Sequence, residues 1–250
     1  MIEYGLQLFS LRDITPESLE DGLRVAAEAG YKYVEFAGFF DHSAEDVKAM
    51  LDKYGLKASG THTWPDAVKP ENIEATIAYH KTIGCSHLIF PAYMNQDTEE
   101  ALDAVIEIIN YAQPILKAHG IELGYHNHSG EFLTTSFGKC IFDELHSRTN
   151  ISFEIDTFWA WNADRDPVAL MEQLKQEGRI SVIHLKDGHH AVDGKRAVGK
   201  SVGLGDAPCK AVREAAIRLG LLMVVESEGL DPTGPEEVTR CMEYLRTLEA

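Results

Sequence analysis

Four short segments in the second half of the sequence concentrate imidazoles and carboxylates: Tyr125-His126-Asn127-His128, Glu154-Ile155-Asp156, His184-Leu185-Lys186-Asp187 and Glu226-Ser227-Glu228. The first half adds Glu35 and the pair Thr61-His62. Taken singly, a histidine of this kind is more often a hydrogen-bonded structural residue, and a carboxylate more often a helix cap. Several carboxylates gathered at one place repel one another unless a cation or a shared proton compensates them. Carboxylate oxygens with imidazole nitrogen and no thiolate suit Mn²⁺, Mg²⁺, Co²⁺ or a catalytic Zn²⁺ with open positions, and do not suit a structural zinc. The expected cofactor is therefore one divalent metal ion, with Mn²⁺ the first candidate.

These groups meet only if the elements that carry them converge. Short β-prone runs alternate with amphipathic stretches eight times along the chain. Strands are predicted at 4–8, 33–37, 57–61, 87–90, 122–126, 152–156, 181–185 and 222–226. Helices are predicted near 17–29, 43–54, 71–83, 98–119, 136–147, 167–177, 208–219 and 235–248, several closed by a glycine such as Gly30, Gly55, Gly84 or Gly220. Regular alternation implies a parallel sheet, and eight units match closure into a single (βα)8 TIM barrel spanning residues 1–250. An open doubly wound sheet fits less well, because Gln7-Leu8-Phe9-Ser10-Leu11-Arg12 stands where a Gly-rich nucleotide turn would follow the first strand. In a barrel the C-terminal strand ends form one mouth, and every segment named above falls at such an end.

Composition narrows the partners. With 23 Lys plus Arg against 40 Asp plus Glu, the formal charge of −17 opposes nucleic acid and anionic membrane surfaces. No apolar run approaches the roughly 20 residues that span a bilayer, and MIEYGLQLFS lacks the features of a signal peptide, so a cytoplasmic location is expected. The four cysteines form no CxxC pair and read as reduced packing residues. A homo-oligomer is possible, although no apolar stripe demands one. Trp64, Phe158, Trp159 and Trp161 stand just beyond strand ends, where flat rings stack on sugars or simply pack. The long segment from Asp187 to about Ala207 should overhang the mouth. Its Gly203-Leu204-Gly205-Asp206 offers loop amides to a phosphate, but Asp206 opposes an anion and is the expected cap of the next helix; Lys195, Arg196 and Lys200 make the loop locally basic.

The segments GLQLFSLRD, GYKYVEFAGF, GTHT, GIELGYHNHSGEF, FEIDTFWAWNADRDP, VIHLKDG, GLGD and VVESEG resemble, from end to end of the chain, the sugar phosphate isomerase/epimerase group of the xylose isomerase-like TIM barrel superfamily. The resemblance implies a metal held by Glu, Asp, His and Glu from the fifth to eighth strands. Carried over, these are Glu131, Asp156, His184 and Glu226. The fifth strand departs from the pattern: it ends in histidines, so either Glu131 folds back to the metal or His126 ligates directly. The resemblance further implies a small carbohydrate substrate and proton abstraction beside a carbonyl, giving an enediolate whose charge a metal stabilises. His126, Glu131 and Glu226 are the candidate acid–base groups, Lys186 the candidate electrophile, and Glu35, His62, His128, Trp159 and Lys186 the candidate substrate contacts. A metal-dependent lyase or dehydratase acting on a 3-keto-glycoside or keto-polyol shares the first step and is the alternative.

Overall fold

The computed structural model describes residues 2–91, 98–191 and 197–249. Seven parallel strands come first: β1 (Gly5–Gln7), β2 (Tyr33–Phe36), β3 (Lys57–His62), β4 (His87–Phe90), β5 (Glu122–His126), β6 (Ser152–Asp156) and β7 (Val182–Leu185). A small antiparallel hairpin, β8 (Asp187–His189) with β9 (Val198–Lys200), interrupts the alternation before β10 (Leu222–Val225) pairs with both β7 and β1 and closes the barrel. Every predicted barrel strand forms within a residue of its expected limits. Around them lie α1 (Leu19–Ala29), α2 (Ala44–Tyr54), α3 (Ile73–Ile83), α4 (Glu99–Ala118), α5 (Ile141–Arg148), α6 (Thr157–Asn162), α7 (Pro167–Gln176), α8 (Cys209–Leu219) and α9 (Gly234–Thr247). Of these, α6 was not expected: it is one short turn started by Asp156, whose Oδ1 accepts the Trp159 amide at 2.9 Å. Helix starts are capped by hydroxyls, with Ser18, Ser43, Thr98 and Thr233 each accepting an amide from the first turn.

The register between β2 and β3 shifts between Val34 and Glu35, so that Glu35 pairs with Gly60. A Cβ at Gly60 would stand 2.5 Å from Glu35 Oε1 and 2.8 Å from Ile89 Cδ1. Glycine at this point is thus what lets a carboxylate lie inside the barrel. The outer layer is tied to the same strand by His80 of α3, whose Nδ1 donates to Thr76 O at 2.8 Å while Nε2 accepts the Thr61 hydroxyl at 2.7 Å. Both nitrogens are committed in the neutral ring.

Burial lowers the His80 pKa, with the Thr76 carbonyl opposing it. The unfolded chain, with an ordinary value near 6.5, therefore binds more protons below about pH 6.5 than the folded one does. The contribution of this group is fully present above that pH and is lost as the pH falls. Substituting His80→Gln should flatten the loss of stability between pH 7.5 and 5.5, by at most about 1.4 kcal/mol per pH unit below 6.5. Urea-unfolding midpoints of the two proteins read this directly, and equal slopes would show that the ring is not held neutral.

Candidate active site

His184, fully buried on β7, stands between two groups of acceptors. Its Nε2 lies 2.6 Å from Glu35 Oε2 and 3.2 Å from Glu154 Oε2, below it in the barrel. Glu35 also accepts from Gln7 Nε2 at 2.7 Å, and His62 Nε2 reaches Glu154 Oε2 at 3.0 Å. The two buried carboxylates share the burden of charge unequally. Burial and the neighbouring Glu35 push Glu154 well above the usual carboxylate range, whereas for Glu35 burial is overcome by His62 and His184, which bring it down to about 2. Burial disfavours a charged His184, but Glu154, Glu35 and Glu226 outweigh it and raise its pKa well above the ordinary imidazole value. Glu35 holds a proton on Nε2, so Nδ1 is the nitrogen whose lone pair a cation would take.

That lone pair faces His126 Nε2 at 3.1 Å, Glu226 Oε2 at 3.2 Å and Asp156 Oδ2 at 3.9 Å; Asp156 Oδ2 is 3.6 Å from His126 Nε2. His126 has its own tautomer set by Nδ1, which donates to the Pro91 carbonyl at 3.0 Å. Four lone-pair atoms from β5, β6, β7 and the end of β10 thus converge within 4.8 Å of one another. Asp156 Oδ2 is buried and without a hydrogen-bond partner. Such a group costs free energy unless a cation sits among it. The donor set of two imidazoles and two carboxylates, with second-layer partners orienting both rings, fits a divalent metal ion.

Lys186, two residues beyond His184 and so on the same side of the strand, is also fully buried. Its Nζ lies 2.9 Å from Glu228, 3.0 Å from Glu226 and 3.5 Å from Asp156, and 4.8 Å above the Trp159 ring. Burial disfavours the ammonium, but these carboxylates outweigh it and hold its pKa up; in return burial of Glu226 and Asp156 is overcome by Lys186, and both are held down. Glu228 behaves otherwise: burial raises its pKa in spite of Lys186. Above the cluster a cavity of about 240 Å³ is lined by Phe9, Trp64, His62, His126, His128, Glu226 and Glu228. Burial brings His62 down to about 3 and His128 down to about 4, so both imidazoles are neutral bases at neutral pH.

Of the residues expected from the sequence, the structure brings Asp156, His184, Glu226, Lys186, His62, His126 and His128 together. Glu131 lies beside His128 but outside the four converging donor atoms. That carboxylate accepts the His128 amide at 2.8 Å through Oε2 and the Tyr125 hydroxyl at 3.1 Å through Oε1, so it folds back on its own loop. His126, the alternative fifth-strand ligand, supplies the fourth of the converging atoms, and Glu131 is not among them. The expectation that His126 is the base changes, because its free nitrogen points into the cluster. Glu35 is not a substrate contact: it is wholly buried beneath His184. Trp159 packs under Lys186 and His128 with its ring 5.8 Å from the latter, outside the cavity lining. Gln7, Glu154 and Glu228 were not assigned from the sequence. The signal for the two acids was present, since Glu154 precedes Asp156 by two and Glu228 follows Glu226 by two, spacings that place them on the same side of a strand.

The loop after β7 also differs from expectation. Asp187 is buried and accepts four amides: Gly188 at 2.8 Å, Gly203 at 2.9 Å, and Gly205 and Ala207 at 3.1 Å each. The nest offered by Gly203-Leu204-Gly205 is therefore filled by the chain's own carboxylate, and Asp206 pairs with His189 at 2.6 Å while Pro208 holds the cap position of α8. Lys195 and Arg196 lie outside the described residues.

A closed parallel (βα)8 barrel with an imidazole–carboxylate centre at its mouth defines the class of TIM barrels that carry their site on the strand ends. Residues 23–248 match the xylose isomerase-like TIM barrel family, and the chain belongs to it. It is 28% identical, over 70% of its length and 78% of the relative's, to 2-oxo-tetronate isomerase of Haemophilus influenzae. A sugar phosphate isomerase/epimerase of Parabacteroides distasonis superposes with a TM-score of 0.76 at 28% identity, covering 98% of this chain and 93% of that one. A probable 3-DHS dehydratase of Bacillus anthracis shares the fold at a TM-score of 0.75 and 14% identity, covering 98% and 99% of the two chains. Among the described residues no helix is long and apolar enough to cross a membrane.

Two outcomes check the filled nest. Asp187→Ala should destabilise the protein by about 3 kcal/mol, since four charge-assisted amide bonds are lost at a buried site. Inorganic phosphate at millimolar concentration should leave the melting temperature of the parent protein unchanged. A phosphate-dependent rise would show that the nest takes an external anion.

Proposed function

We propose that the protein is a divalent-metal-dependent sugar isomerase or epimerase that moves a proton at the carbon next to a carbonyl. The observation that carries the reading is the convergence of His126 Nε2, His184 Nδ1, Asp156 Oδ2 and Glu226 Oε2 under an open cavity, with the Asp156 oxygen accepting no hydrogen bond. These four atoms would hold the ion, for which Mn²⁺ suits the mixed nitrogen and oxygen set. When bound, the ion supplies Lewis-acid polarisation of a substrate carbonyl.

The chain's own groups supply the rest. His128, on the cavity wall and neutral, is the group placed to take a proton from carbon. Glu228 faces the same cavity from the end of β10 and, with its pKa raised, can return a proton from its side. Lys186 keeps Glu226 and Asp156 ionised and so keeps their oxygens as donors. The cavity of about 240 Å³ is smaller than the roughly 300–1,000 Å³ that hold drug-sized ligands, which suits a single ring or a short open chain. A relative named as a 2-oxo-tetronate isomerase supports a small keto acid or keto sugar. A second reading, a lyase or dehydratase acting on a 3-keto-glycoside or keto-polyol, is favoured by one observation: a histidine, not a glutamate, completes the donor set from β5, and elimination needs a base and an acid rather than paired carboxylates.

Incubation of Mn²⁺-loaded protein with ketoses, 2-oxo-tetronate and 3-keto-glycosides in D₂O should place deuterium on carbon beside the carbonyl, read by NMR. Exchange that survives Asp156→Ala would overturn the proposal, and unsaturated products in the same spectra would select the lyase. Because Glu35 orients His184, Glu35→Gln should weaken Mn²⁺ binding or turnover by about 10- to 100-fold, measured by competition with a chelating dye.

A further inference from the structure

A second groove opens beside the cavity over the donor cluster. It encloses about 660 Å³ between the loops after β2 and β3 and the outer face of α3, and its walls include Phe39, Ala67, Ala75 and Tyr79. His62 and Trp64 line both spaces. Trp64, 49% exposed, is therefore a partition, with the small cavity on one side and the larger groove on the other. The groove is built: the Phe39 and Tyr79 rings pack at 4.3 Å between centroids, Phe36 supports Phe39 at 5.2 Å, and the Tyr79 hydroxyl donates to the His42 carbonyl at 2.9 Å. The loop that presents Phe39 holds Phe40 and Asp41 at φ of 50° and 61°, a left-handed conformation that costs free energy for non-glycine residues and persists only where the surroundings hold it.

The small cavity suits one ring, and its neighbour across an exposed indole is wider and walled by aromatic rings and alanines, with Thr63, Asp66, Thr76 and His80 between them. We infer that the groove behind Trp64 is a subsite for a flat apolar ring joined to the reacting sugar, so that the substrate is a keto-glycoside with an aromatic aglycone, its ring ketone being the carbonyl beside which the proton moves; this rests on the proposed carbohydrate chemistry of the neighbouring cavity. The aglycone stacks against Trp64 and Tyr79, which offer aromatic faces and little hydrogen bonding, a chemistry that suits an aryl group better than a second hydroxylated ring. The glycosidic oxygen then crosses beside His62, the side chain common to both spaces.

Titration calorimetry of the Mn²⁺-loaded protein with paired 4-nitrophenyl and methyl glycopyranosides of glucose, galactose and xylose, in both anomers, tests this. In at least one pair the aryl glycoside should bind about tenfold tighter or more, the gain expected from burying one ring. Ala75→Phe, at an exposed position on α3, fills the groove without disturbing the core, and Trp64→Ala removes the stacking face; either should collapse the ratio in that pair toward one. Maltose and cellobiose matching the aryl ligands would overturn the aryl assignment. Equal affinities in every pair, no binding in any, or a ratio that survives Ala75→Phe would overturn the subsite. Failure of deuterium exchange with the aryl preference intact would count against the isomerase reading alone, and exchange without the preference against the subsite alone.

Discussion

Everything at the mouth of this barrel depends on the two nitrogens of His184 doing different things. One imidazole cannot donate to Glu35 through Nε2 and also lend a lone pair through Nδ1 unless its proton is held in place, and an ionised carboxylate at 2.6 Å holds it there. Once that proton is fixed, Nδ1 joins three other lone-pair atoms, and the group requires positive charge. The chain provides part of it through Lys186, whose ammonium touches three carboxylates but neither imidazole nitrogen. The remaining need is what the proposed divalent ion would meet.

The fold spends several unusual features on keeping Glu35 where His184 needs it. A register shift in β2 directs the side chain inward, Gly60 on β3 leaves room for its oxygen, and Gln7 on β1 donates to it at 2.7 Å. Neither Gly60 nor Gln7 touches the cavity. An apolar residue at position 7 would remove the donor to Glu35, and any side chain at position 60 would push its carboxylate aside, so either change would disorganise the site by moving the acceptor of the His184 proton. The second buried acid, Glu154, has its pKa raised well above the ordinary carboxylate value by desolvation and by Glu35, so the two acids do not bear the charge equally.

The barrel itself was legible because strand and helix periods differ and the chain alternates between them eight times. Strands β4, β5 and β6 agree with expectation residue for residue, and β5 and β6 end in titratable residues. The convergence of Asp156, His184 and Glu226 was legible for the same reason: a strand end is readable, and a barrel sends all strand ends to one mouth. The fifth-strand position was not, because Glu131 lies in a turn beyond the strand and no periodicity says which way a turn folds. There the deciding interaction is a backbone amide, that of His128, which captures the carboxylate locally. Glu35 and Glu154 were visible as residues but not as a layer below the metal donors, since depth inside a barrel depends on strand stagger, which is invisible in a single strand. The loop cap at Asp206 failed through the same kind of local competition, with His189 taking the carboxylate that the helix was expected to use.

Strand alternation also explains why the loop after β7 belongs to the site although it contributes no donor. His184 and Lys186 point into the barrel, so the next residue, Asp187, points outward to the loop, where it gathers the amides of Gly203, Gly205 and Ala207. A ring of amides at this place in a TIM barrel commonly binds a phosphate. Here the anion is covalently part of the strand that carries Lys186, so the same contacts that close the nest also fix the end of β7. The chain has exchanged an external anion site for a rigid support beneath its only buried lysine among the described residues. A substrate bound at this mouth must then be recognised by other means, through the metal donors, the neutral imidazoles of His62 and His128, and the aromatic faces at the rim, and those are contacts suited to hydroxyls, carbonyls and rings more than to phosphate esters.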